Sequence, residues 1–127
     1  MIETDRLYLR EFVLADANDL YQLNLDQDVM RYTGDEPFAS PDEARLFVEN
    51  YDHYQRYGYG RWAVISKASD QFIGWCGLKY TPAIKESDLG FRFFKSQWNQ
   101  GYATESAIAC LQYGFKQLLL PRIVGRA

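Results

Sequence analysis

Polar and apolar positions alternate over residues 4–13, with Leu7 and Leu9 on one face and Tyr8 and Arg10 on the other. That period of two predicts a first strand. Asp16 then stands where a helix cap belongs, ahead of a stripe of Ala17, Leu20 and Tyr21 that ends on polar Asn24. Residues 26–38 carry no regular pattern, and Gly34 and Pro37 interrupt them. The clearest helix start is Ser40-Pro41-Asp42-Glu43: a serine cap, proline in the first turn and a glutamate three after the cap, which together form a capping box. Ala44, Phe47, Val48, Tyr51 and Tyr54 line one face of that helix, and Gly58 is its expected stop.

Residues 61–66 and 71–80 read as strands joined by the polar turn Lys67-Ala68-Ser69-Asp70. A further strand covers residues 87–94. A helix over residues 102–119 is expected to bury Ala103, Ala107, Cys110, Leu111, Phe115 and Leu118, with Gly114 allowing close packing. Pro121 ends it, and residues 122–124 begin another strand. Strand, two helices, three strands, helix, strand is a mixed α/β (α+β) order with an antiparallel meander at its centre. No repeat, low-complexity tract or linker divides the chain.

Composition narrows the function classes. The 127 residues suffice for one domain, and 47% hydrophobic with 17% aromatic residues supply a core. The formal net charge is −3 and the basic residues are scattered, so no electrostatic footprint for nucleic acid is present. A mildly acidic surface would tolerate a cationic acceptor such as a protonated amine. Cys76 and Cys110 sit in apolar contexts and read as reduced core residues. No signal-like start and no apolar run of membrane-spanning length occurs, which makes the cytoplasm the expected location. One histidine, His53, and two cysteines far apart in sequence make no metal cluster and no Ser–His–Asp constellation, and His53 is expected at the surface.

The run Gln97-Trp98-Asn99-Gln100-Gly101-Tyr102-Ala103-Thr104-Glu105 leads from a strand into the last helix. Gly101 and Ala103 ease backbone approach. A helix start of this kind leaves N–H groups without intrahelical partners, with the positive end of the dipole behind them, and so suits an anion such as a pyrophosphate. Several stretches in order resemble the GNAT superfamily of N-acetyltransferases, and within it the RimJ/RimL-like branch. Thr4-Asp5-Arg6-Leu7-Tyr8-Leu9-Arg10 is similar to that branch's opening strand, and Phe72-Ile73-Gly74-Trp75-Cys76-Gly77-Leu78 to its third. Ser87-Asp88-Leu89-Gly90-Phe91, followed by Trp98 to Ser106, resembles the fourth strand and pyrophosphate loop; Leu120-Pro121-Arg122-Ile123 resembles the start of the fifth.

The resemblance implies the acyl-coenzyme A N-acyltransferase fold, a mixed and mostly antiparallel sheet flanked by helices. It implies acetyl-coenzyme A as co-substrate and transfer of its acetyl group to a primary amine, on a protein N-terminus or a small molecule, by direct attack. The backbone of Asn99, Gln100, Gly101, Tyr102, Ala103 and Thr104 would cradle the pyrophosphate, and the main chain of Phe91, Arg92 and Phe93 would hold the pantetheine arm. Asp88 stands where some members carry a catalytic glutamate, although a strand-end carboxylate facing solvent or a nearby lysine fits the same position. Glu86 is the poorer candidate by position. Tyr32, Trp62 and Trp75 would either line the acceptor pocket or belong to the core. The resemblance covers about two thirds of the family's domain, so a single domain shortened after the fifth strand is expected, without the segment that commonly supplies the acid for the thiolate. A shortened sheet would leave an open edge, which favours a homodimer. The reading from another class is a non-catalytic remnant that binds acyl-coenzyme A or only dimerises.

Overall fold

Short turns can join antiparallel strands, whereas a parallel pair needs a longer crossover, and this rule accounts for the sheet. The computed structural model describes residues 2–30 and 37–125. Six strands stand in chain order: β1 (Ile2–Glu3), β2 (Leu7–Arg10), β3 (Arg61–Ser66), β4 (Phe72–Thr81), β5 (Glu86–Phe93) and β6 (Ile123–Gly125). Neighbours are antiparallel except β5 and β6, which run parallel because helix α5 (Tyr102–Gln112) crosses between them. Helices α1 (Ala17–Leu25), α2 (Gln27–Met30), α3 (Pro41–Glu49) and α4 (His53–Tyr57) come between β2 and β3.

Two apolar clusters fill the space on either side of the sheet. Leu7, Leu9, Trp62, Val64, Cys76, Leu78 and Phe93 pack with Cys110 of α5. Leu20 and Leu23 of α1 pack with Val29 and Trp75, backed by Phe12, Phe38 and Phe47. The mixed α/β expectation therefore holds, and most strand limits fall within a residue or two of those expected.

Local differences have identifiable causes. The first strand is not continuous over residues 4–13. Thr4 N–H donates to the Leu7 carbonyl at 2.9 Å and the Thr4 hydroxyl accepts from Leu7 N–H at 3.1 Å, which folds the segment into a hairpin with Ile2 opposite Leu9. Asp16 does not cap α1. Its carboxylate turns back to accept from Val13 N–H at 2.9 Å and from both Arg10 guanidinium nitrogens at 2.8 and 2.9 Å. Within the patternless stretch, Asp26 Oδ1 accepts from Asp28 N–H at 2.9 Å and starts α2.

Ser40 Oγ accepts from Glu43 N–H at 3.2 Å, so the serine half of the box is made and α3 begins at Pro41 as expected. The helix does not continue to Gly58; it breaks at residues 50–52, and α4 ends at Gly58 with φ 79°. The break lets two aromatic side chains reach one residue. Tyr51 Oη accepts from Arg61 N–H at 2.9 Å, and the Tyr54 hydroxyl donates to the Arg61 carbonyl while accepting from Phe12 N–H at 3.1 Å.

The last helix loses its α pitch after Gln112. Leu118 N–H reaches the Tyr113 carbonyl, five residues back, at 3.1 Å. That wider turn carries Phe115 outward to 46% exposure, against the expectation that it is buried, and turns Tyr113 onto Trp62 edge-on at 5.4 Å. Gly114 does permit close packing, since a Cβ there would lie 2.5 Å from Ile123 Cδ1.

A further expectation is corrected. His53 is not a free surface residue: its Nδ1 lies 2.5 Å from the Tyr59 carbonyl and its Nε2 accepts from Tyr80 N–H at 3.0 Å, inside a cluster of Tyr51, Tyr57 and Tyr59 rings. The neutral Nδ1–H tautomer satisfies both bonds. Cys76 and Cys110 are free and buried, as expected of reduced core residues, and folding brings their sulfurs to 3.6 Å. Cys76 and burial together push the Cys110 thiol up, so it stays a thiol.

Candidate functional site

Helix α5 begins on Gly101, which has φ +80° and no side chain to cap the first turn. The first intrahelical bond runs from Glu105 N–H to the Gly101 carbonyl at 3.0 Å, so the N–H groups of Tyr102, Ala103 and Thr104 have no carbonyl a turn earlier. Asn99 also adopts a positive φ, 63°, and together with Gly101 it bends the chain round so that exposed Asn99, Gln100 and Gly101 precede these donors. Gly101 and Thr104 border an open groove of about 900 Å³ that runs along α5 beside β1. Residues 99–104, expected from the sequence to act as a cradle, thus form one contiguous run of main chain at the start of α5.

The loop is pinned by residues to which the sequence reading gave no role of their own. Arg6 Nη1 donates to the Gln100 carbonyl at 2.9 Å, and Trp98 Nε1 donates to the Phe93 carbonyl at 3.0 Å. Glu105 accepts from the Thr4 hydroxyl at 2.5 Å, Arg6 N–H at 3.0 Å and Arg6 Nε at 2.7 Å. Burial pushes the Glu105 carboxyl up, but the bonds from Thr4 and Arg6 outweigh it and hold the group below the usual range. Thr4 and Arg6 belong to the opening motif, so the only signal was that motif's presence; nothing in its pattern links it to a loop far along the chain.

Strand β5 presents two different faces to the site. Ser87, Leu89, Phe91 and Phe93 alternate toward α5, with Phe93 buried and Phe91 51% exposed. Asp88, Gly90 and Arg92 share the other face with Trp75, the cross-strand partner of Arg92. Pairing with β6 extends only from Ser87 to Leu89, so among the described residues the β6-side edge of residues 90–93 has no strand beside it. The Phe93 carbonyl accepts from Trp98 Nε1. Asp88 is half-buried opposite Lys79, whereas Glu86 lies 3.6 Å from Arg122.

On the Asp88 face, Trp75 borders a cavity of about 240 Å³ together with Arg61 and Arg92. Trp62 is on the opposite side, buried against Tyr113, so it belongs to the core and not to an acceptor pocket. Tyr32 lies outside the described residues. The arrangement therefore has the start of α5 at one end, strand β5 beside it, and the Asp88 carboxylate and a pocket on the same face of that strand. No helix among the described residues is long and apolar enough to cross a membrane.

Comparison with known proteins follows the same geometry. The family described as Acetyltransferase (GNAT) domain matches residues 6–127. The uncharacterized N-acetyltransferase YnaD of Bacillus subtilis strain 168 is 33% identical over 97% of this chain and 70% of its own length. The uncharacterized N-acetyltransferase p20 of Bacillus licheniformis is 31% identical over 94% of this chain and 68% of its own. A crystal structure of a GNAT-family acetyltransferase from Bacillus anthracis superposes with a TM-score of 0.81 at 29% identity, covering 98% of this chain and 71% of that one.

Proposed function

This chain belongs to the GNAT acetyltransferase domain family, and from that premise we propose that it moves an acetyl group from acetyl-coenzyme A to a primary amine by direct attack. The observation that carries the reading is the start of α5. Three first-turn N–H groups without intrahelical partners, behind a glycine that cannot cap them, form a site for a pyrophosphate, and the groove alongside gives the rest of a nucleotide room. The Phe91 and Arg92 main chain would pair with the pantetheine arm as a neighbouring strand would, which brings the thioester to the level of β5.

Asp88 supplies the group that amine chemistry needs. Only a neutral amine attacks, so Asp88, directly or through water, accepts the proton from the ammonium. A backbone N–H of β5 stabilises the carbonyl oxygen as the nitrogen–carbon bond forms. The carbon–sulfur bond then breaks, and the thiolate takes a proton from solvent.

Calorimetric titration with acetyl-coenzyme A tests the cradle, and thiol release with a panel of primary amines tests turnover. Saturable binding together with amine-dependent thiol release is the expected result. No heat at millimolar acetyl-coenzyme A would remove the acetyl-transfer reading.

A further inference from the structure

Two nucleophilic side chains that the proposed acetyl transfer does not use meet in the core. Cys76 stands in the middle of the sheet, opposite Trp62 of β3 and Phe91 of β5, and Cys110 reaches it from α5. Both thiols are free and fully buried, and their sulfurs are 3.6 Å apart. We propose that this pair is an oxidisable dithiol, which hydrogen peroxide closes into a disulfide tying α5 to β4.

Closure needs little movement. A disulfide holds its sulfurs about 2.05 Å apart, so this pair has to close by roughly 1.5 Å. The buried side chains of α5 are Ser106 and Cys110, one turn apart on the face toward the sheet. Both are small, which lets the helix lie close to Cys76. The two thiols are not equivalent. The hydrogen bond from Cys110 pulls the Cys76 thiol down and outweighs the burial that opposes it, whereas Cys76 and burial push Cys110 up. Cys76 is therefore the first nucleophile, and Cys110 is the thiol that follows.

The chemistry balances with one peroxide. The Cys76 thiolate attacks one peroxide oxygen, the O–O bond breaks and hydroxide leaves, giving a sulfenic acid on Cys76. The proton lost by Cys76 turns that hydroxide into water. Cys110 then gives up its proton as its sulfur attacks that of Cys76, and the sulfenic oxygen departs as a second water. Two thiols are oxidised to one disulfide, and one peroxide is reduced to two waters. Because the second sulfur is already in contact, the sulfenic acid is consumed before another peroxide oxidises it further. Both sulfurs are sealed from solvent, so the reaction waits on a local opening of α5. That helix is held by small buried groups and changes pitch just beyond Cys110, where Leu118 N–H reaches back to the Tyr113 carbonyl. Cys110 lies about 12 Å along α5 from Tyr102, so the bond would anchor the helix that begins at the loop proposed for the pyrophosphate. The thiol chemistry itself needs no cofactor and is independent of the acetyl-transfer reading.

The test treats the reduced, folded protein with excess hydrogen peroxide and follows its intact mass, peptide map and melting temperature. The expected product is lighter by two hydrogens, links the Cys76 and Cys110 peptides, and reverts with a reducing agent. The bond joins positions 34 apart in the chain, so the oxidised protein should melt roughly 5–15 °C higher. Amides of α5 should also exchange more slowly once it is linked. Cys110→Ala should instead retain oxygen on Cys76, as sulfenic or sulfinic acid, and Cys76→Ala should leave Cys110 unoxidised. An unchanged wild-type mass, added oxygen without loss of hydrogens, or a disulfide that forms only in denaturing urea would each overturn the proposal. A linked protein that melts no higher would overturn the tie between α5 and β4.

Discussion

Arg6 Nε donates to Glu105 Oε1 at 2.7 Å, joining residues 99 positions apart in the chain. The same arginine donates its main-chain N–H to Glu105 Oε2 at 3.0 Å and its Nη1 to the Gln100 carbonyl at 2.9 Å, and its guanidinium lies 4.4 Å from the centre of the Tyr102 ring. One residue of the edge hairpin therefore holds the chain on both sides of Gly101. Its side chain is 46% exposed, so the ion pair contributes little to folding. Its effect lies in fixing where the first-turn N–H groups point.

Arg6→Ala should accordingly weaken acetyl-coenzyme A binding several-fold while lowering stability by about 1 kcal/mol or less. Calorimetry and urea unfolding on the same protein separate the two effects. Unchanged affinity in the variant would show that the loop keeps its shape without the pin.

Glu105 gives this pin a pH dependence. Its folded carboxyl lies below its ordinary value of about 4.3, so its contribution is fully present above that value and is lost as pH falls through the folded pKa. Melting temperatures of the parent and Glu105→Gln should differ by a constant amount above about pH 5 and converge in more acid solution. A gap that widened on acidification would contradict the assignment.

Gly101 has two constraints on any replacement. At φ +80° an L-residue is strained by about 1 kcal/mol, and a Cβ would lie 3.3 Å from Arg6 Nη2. Gly101→Ala should cost about 1 kcal/mol and weaken cofactor binding, whereas Gly101→Glu should abolish binding by adding negative charge at the cradle. Retained affinity in Gly101→Glu would place the pyrophosphate elsewhere.

The parts legible in the sequence are those set by local pattern. Strand-forming runs joined by the polar turn at residues 67–70 located β3 and β4, a further run located β5, and Ser40 with Pro41 located the start of α3. What escaped reading depends on groups that meet only after folding. The Asp16 carboxylate has the composition of a cap, yet Arg10 and Val13 N–H compete for it and win. His53 is polar on a helix, but the Tyr80 N–H of a distant strand meets its Nε2. Phe115 fits a helical stripe until one wider turn rotates it outward. At the candidate site, the loop of residues 97–105 could be put forward from sequence because its proposed chemistry is main chain and its residues are contiguous. The grouping of Arg61, Trp75 and Arg92 at one cavity could not, since its members come from three strands and only the register brings them together.

Asp88→Asn separates proton removal from binding. The amide keeps the size and polarity of the side chain but cannot accept the proton in the same way, so acetyl-coenzyme A affinity should be unchanged and turnover should fall by roughly 10²-fold. Raising the pH should recover part of the loss, because solution then supplies more neutral amine. A wild-type rate in Asp88→Asn would remove this residue from the chemistry and leave the bland reading of a strand-end carboxylate.

The residue before Asp88 offers a structural control. Ser87 Oγ lies 2.7 Å from the Tyr59 hydroxyl, and both residues are buried. Burial pushes the Tyr59 phenol up, and the bond to Ser87 offsets part of that rise. Removing one hydroxyl leaves the other without this partner, at a cost of about 1–3 kcal/mol, whereas removing both takes away the need for either. Tyr59→Phe and Ser87→Ala should therefore each destabilise the protein, and the double variant should lose about 1 kcal/mol less than their sum. Urea unfolding measures all four corners of the cycle. Strict additivity would mean that the two hydroxyls do not bond in solution, and β5 would then need another anchor to hold Asp88 in place.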